Sequence, residues 1–203
     1  MLINPSDLTA EASYKLLTGI VVPRPIAWVT TVSVDGVVNL APFSAFTFVS
    51  PKPPMIAISI GHKAGVYKDT ARNILATEEF VVNIADQAHL DALHQSAEEY
   101  ASHVSEVDTL GLETSPSDLV APPRVATTPI AMECALRHCM EFGETRSRLF
   151  VGEVRRFHFR EGLLRDGKID TVALDPVARI AGPNYATLGH LIKKAPVQQT
   201  PKS

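Results

Sequence analysis

The stretch VPRPIAWVTTVSVDGVVNLAPFSAF, Val22–Phe46, decides the fold. Two runs rich in β-branched residues, Ile26–Ser33 and Val37–Val49, flank Asp35-Gly36. An Asp-Gly pair between apolar runs predicts a hairpin, because both turn positions favour positive φ. Pro42 lies inside the second run, where a missing N–H removes a ladder donor, so a bulge or a local break in pairing is expected there. Neighbouring N–H groups released by that break would be free to meet a ligand. Pro51, Pro53 and Pro54 end the second strand, and Met55–Ile60 reads as a third.

Outward from this hairpin, Leu8–Leu17 reads as a short helix capped at Asp7, and Val66–Thr77 carries helical spacing. Glu79–Ala85 is a strand, and Asp86–Ala101 an amphipathic helix. Ser102–Pro129 is a long connection rich in Ser, Thr, Asp and Pro, of the kind that is functional or covers something. Ile130–Glu141 and Leu149–Arg160 form a second hairpin across the polar turn Phe142–Arg148. Leu163–Asp170 adds a short strand, and Asp175-Pro176 is expected to start a helical turn. Hairpins dominate and strand–helix–strand alternation is sparse. That pattern predicts a mainly β chain with helical insertions, an antiparallel barrel rather than a doubly wound sheet. Neither an internal repeat nor an interdomain linker is visible, so residues 1–203 read as one domain, with a loose tail over 190–203.

The 203 residues are 45% hydrophobic and carry a net charge of −3, which disfavours nucleic acid as a partner. The longest apolar runs, such as Ile56–Ile60 and Ile130–Ala135, are too short to span a bilayer. The first residues, Met1-Leu2-Ile3-Asn4-Pro5, lack a basic start followed by an apolar core, so a cytoplasmic address is expected. Cys134 and Cys139 lie five apart on a strand, which places them on opposite faces as two reduced thiols. His89, His94 and Glu98 come closest to a ligand group, but His89 and His94 are five apart and diverge on a helix, and no metal site is predicted. Gly162–Ile169 has the spacing of a phosphate loop but ends in Ile169 instead of Ser or Thr, and reads as a polar turn. Gly-x-Gly-x-x-Gly and Gly-x-Ser-x-Gly are both absent, so the chain has neither a Rossmann site nor a nucleophile elbow.

Three segments remain. One is Val22–Thr31 continuing to Asn39–Phe46; the next is Tyr67–Ile74 followed by Glu79–Asn83; the last is Phe150–Val154 with His158, then Ala178–Tyr185. In this order and separation they resemble the flavin reductase-like family of FMN-binding split barrels, from about Tyr14 to Gly189. The resemblance implies an FMN-binding, antiparallel split β-barrel and a homodimer. It makes Asn39, Ala41, Pro42 and Ser44 the cradle of the flavin ring, with one of Thr30 and Thr31 beside it; which one stays open, since the two face opposite ways.

Lys68, Asp69 and Thr70 open a helix, where N–H groups, a partial positive charge and a hydroxyl suit an anion. The resemblance assigns them to the FMN phosphate, with His62 and Lys63 adding charge from the preceding turn. Arg179 and Tyr185 belong to the segment that closes over the site. His158 is a candidate proton donor or a half-exposed strand residue, and Trp28 is core. Arg24 is expected to pair with a carboxylate or to line the dimer seam. The activity implied is ping-pong electron transfer, with NADH or NADPH as a transient donor to FMN and a small molecule as acceptor. The alternatives are a flavoredoxin-like carrier served by a protein electron partner, and a split barrel that holds another planar ligand such as haem.

Overall fold

The computed structural model describes residues 1–62 and 65–197; Lys63 and the end of the tail lie outside the described residues. Helix α1 spans Ala10–Ile20, followed by the short strand β1 (Arg24–Pro25) and by β2 (Ala27–Val32), β3 (Val38–Phe43), β4 (Phe46–Pro51) and β5 (Pro54–Ile60). Helix α2 (Asp69–Thr77) leads to β6 (Glu79–Ile84), then to α3 (Leu90–Gln95) and α4 (Glu106–Thr109). Short β7 (Thr114–Ser115) and β8 (Arg124–Val125) precede the long pair β9 (Ile130–Phe142) and β10 (Ser147–Phe159). Strands β11 (Leu164–Arg165) and β12 (Lys168–Ile169), α5 (Thr171–Leu174), β13 (Ala178–Arg179) and β14 (Tyr185–Ala186) follow.

Seven strands form one sheet in the order β3-β2-β6-β9-β10-β5-β4, every neighbouring pair antiparallel. Strands β3 and β4 occupy opposite edges of that sheet, yet only Ser44 and Ala45 separate them. The sheet must therefore curl until its edges approach at that corner, where the Ser59 amide donates to the Ala45 carbonyl and extends the β4–β5 ladder. This is the split barrel. Its interior packs Val29, Ile58, Phe80, Cys134 and Phe150 with Ala71 and Ile74 of α2. At Gly152 a Cβ would lie 2.4 Å from Phe80 Cζ, so the missing side chain is what lets that ring fill the barrel. A second apolar layer, Trp28, Leu40, Leu93, Val107 and Val125, lies on the other face of the β2 region. The long connection predicted to cover something does so: its Val107 and Val125 belong to that layer.

Several local expectations are corrected. The first helix begins at Ala10, because Thr9 accepts from the Ala12 amide and Asp7 closes a separate 3-10 turn. The Val37–Val49 run divides at Ser44, and Pro42 causes no bulge against β2, where Trp28 pairs with it in continuous register. Proline is tolerated because β3 is an edge strand. The helix expected from Val66 starts at Asp69. Of the helix expected over Asp86–Ala101, only Leu90–Gln95 is α-helical. The turn expected to start at Asp175-Pro176 instead ends there, with Asp170 capping α5 and Asp175 left-handed at φ 46°. A register shift near Arg137 in β9 reverses the parity of the strand, so Cys134 and Cys139 both pack toward the barrel interior, Cys139 only partly buried.

Candidate functional site

Two adjoining hollows of about 400 and 350 Å³ open along β3 and share Pro42, Lys68 and Ala97. In the first, Asn39, Ala41 and Pro42 of β3 face Lys68, Asp69 and Thr70 at the start of α2. The second adds Ser44, Arg179 and Tyr185. Nine residues predicted from the sequence thus come together in one groove.

The floor is organised by amide–hydroxyl contacts. Asn39 Nδ2 donates to Thr70 Oγ1 at 2.9 Å and to Thr31 Oγ1 at 3.4 Å, while Asn73 Nδ2 donates to Thr31 Oγ1 at 3.1 Å. Thr31 therefore stands behind the cavity wall and fixes Asn39. Thr30 lies on the opposite face, donating to the Pro123 carbonyl at 2.6 Å and accepting from Asn83. Of the two threonines, Thr31 is the one bonded to a groove residue, Asn39, and neither lines a hollow itself.

The N-cap of α2 is Lys68, whose side chain has no acceptor and makes no capping bond, while within the first turn Thr70 is engaged by Asn39 and Asp69 pairs with Arg72 at 2.6 Å. The first amides of the helix thus lack a capping partner beside the cavity, which suits an anionic group. The Lys68 ammonium lies 5.7 Å from the centre of the Phe43 ring. Among the described residues Arg24 meets no carboxylate. It donates to the carbonyls of Thr18 and Val21, both at 2.6 Å, to Ser44 Oγ and to the Ile180 carbonyl, tying α1 and the C-terminal ribbon to the corner of the barrel. Arg179 donates to Tyr185 Oη at 2.5 Å and stacks on its ring, closing the far side of the second hollow.

Besides Thr30, two further predicted residues stand apart. His62 packs against Tyr67, ring centres 4.5 Å apart, and lines neither hollow. His158 meets Glu133 at 2.5 Å, near Asp118, at the far end of β10. Burial alone would raise the Glu133 carboxyl, but donation from the Asp118 amide, His158 and the Leu119 amide outweighs it and holds the group low. This cluster pins the long connection onto β9 and takes no part in the groove. Trp28 is core, donating its Nε1 to Ser96 Oγ at 2.9 Å.

The sequence reading missed the opposite wall, formed by Ser96–Tyr100 and by Glu106. Glu106 is 7% exposed and accepts from the Leu40 amide at 2.9 Å. Burial, with the nearby Asp69 charge, pushes its carboxyl above the usual range. The only sequence signal for it was its place in a connection marked as functional or covering.

An antiparallel barrel split along an edge strand, with a ligand-sized groove in the split, defines the class of protein. The chain belongs to the flavin reductase like domain family, whose model matches residues 19–173. It is similar to the structure of nitrilotriacetate monooxygenase component B from Bacillus cereus, at 40% identity, TM-score 0.92, over 95% of this chain and 98% of that one. It is also similar to the 2-nitrobenzoate 2-nitroreductase of Pseudomonas fluorescens, at 32% identity, TM-score 0.89, over 100% of this chain and 99% of that one. A Halalkalibacterium halodurans relative is 41% identical over 93% of each chain.

Proposed function

We propose that the protein binds FMN in this groove and carries electrons through it from NADH or NADPH to a small acceptor. The observation that carries the reading is the meeting, in one cavity, of the edge strand β3 with the start of α2, whose N-cap side chain makes no capping bond. Ala41 and Pro42 would present edge-strand backbone to the polar rim of the flavin, with Asn39 held beside it by Thr70 and Thr31. Thr70 and the first amides of α2 would hold the phosphate, with Lys68 on the same wall. When bound, FMN supplies the hydride chemistry, and the chain's residues supply orientation and exclusion of water. Relatives that are a monooxygenase component and a nitroreductase support a redox role.

Donor and acceptor would take turns in the groove, since the sequence carries no second dinucleotide motif. A homodimer completes the reading: α1 buries none of its residues within the chain, and Phe48 on edge strand β4 is 79% exposed. The test is addition of NADH or NADPH to the FMN-loaded protein under nitrogen. Prompt bleaching of the flavin band is expected. A band that stays yellow with both donors would overturn the nicotinamide reaction in favour of a carrier reduced by a protein partner.

A further inference from the structure

The first hollow has an acidic wall that the flavin reading does not use. Glu106 lies on it, almost wholly buried, one carboxylate oxygen accepting a hydrogen bond from the Leu40 amide. Among the described residues it forms no ion pair, and Asp69 lines the same cavity as a like charge. The other titratable groups facing this space are Tyr67, Lys68, Glu98, Glu99 and Tyr100. The Tyr100 hydroxyl is pushed up by desolvation and by the charges of Glu98 and Glu106, which places that side chain within the field of Glu106. A buried carboxylate beside another carboxylate, with only two amides, Leu40 and its own, for compensation, is costly to keep ionised. A proton removes that cost and converts the group from acceptor to donor.

We propose that Glu106 is a specificity-determining residue of the groove: it offers a protonated carboxyl to an acceptor atom on the ring edge of the ligand, so that binding is coupled to proton uptake at this side chain. The inference rests on the flavin reading, deepening it by naming the group that reads the ring. The direction of its pKa agrees with the geometry. The coupling selects ligands whose edge presents an acceptor, such as a carbonyl or an imine-type nitrogen, over ligands that present only donors. It also has a consequence for the free protein. A carboxyl raised in the folded state stabilises the fold below its unfolded pKa, and that contribution is lost as pH rises through the folded value.

Riboflavin and FMN are the probes, because the phosphate of FMN titrates and riboflavin lacks it. Fluorescence titrations between about pH 5 and pH 8 should show riboflavin affinity falling with pH, at most about tenfold per pH unit. Glu106→Gln, which keeps an acceptor for Leu40 and a neutral donor, should bind with a flat profile. Calorimetry in buffers of different ionisation enthalpy, at a pH where riboflavin affinity is already falling, should show proton uptake by the wild type on riboflavin binding, and this holds even if the variant fails to fold. Parallel profiles for the two proteins, or no proton uptake, would overturn the coupling while leaving flavin binding intact. Failure of both probes to bind at every pH would overturn the flavin reading itself, and the coupling with it.

Discussion

At the residue scale, Thr31 and Thr30 make the sharpest pair. The Thr31 hydroxyl accepts from Asn39 and Asn73 beneath the cavity, whereas Thr30 holds the Pro123 carbonyl on the other face. Thr31→Val should release Asn39 and weaken FMN binding by roughly three- to tenfold, the worth of one or two modest hydrogen bonds. Thr30→Val should lower the melting temperature and leave FMN affinity near wild type. Equal effects of both on FMN affinity, read by fluorescence quenching, would contradict the assignment. The strand period fixed that the two hydroxyls point apart, but not which side holds the groove, since that depends on α2 packing beneath β2 and β3. Asn39 and Pro42 were legible only through the family resemblance, since the local chemistry of Pro42 suggested a bulge where the chain forms a regular edge strand instead. Glu106 was not, because its burial comes from α4 packing on β3, far away in the sequence.

At the scale of elements, α1 and β4 show what a single chain leaves unfinished. Helix α1 exposes Tyr14, Leu17 and Ile20, and is tied down by the Arg24 bonds to Thr18 and Val21. Strand β4 presents Phe48 at an open edge, a liability in a lone chain. Light scattering after gel filtration is expected to give a dimer, and Phe48→Asp or Ile20→Asp to shift it toward monomer with loss of flavin. A wild-type monomer that retains FMN would contradict this. The Asp35-Gly36 hairpin and the long β9–β10 pair were readable from local chemistry alone. The segment 96–129 was not, because distant side chains set its path: Trp28 holds Ser96, Asn83 takes the Val125 amide, and Glu133 takes those of Asp118 and Leu119.

At the scale of the whole molecule, the barrel follows from one constraint: β3 and β4 lie at opposite edges of a sheet but only two residues apart in the chain. Closure there leaves a split, and the split is the groove where edge backbone, a helix start and the C-terminal ribbon meet. The central claim is that this groove is a flavin site. The most direct measurement is an absorbance titration of the purified protein with FMN and, in parallel, with riboflavin. The account predicts a perturbed flavin band that saturates at one FMN per chain, with weaker binding of riboflavin, which lacks the phosphate for the start of α2. A band that stays that of free FMN throughout the titration would contradict it.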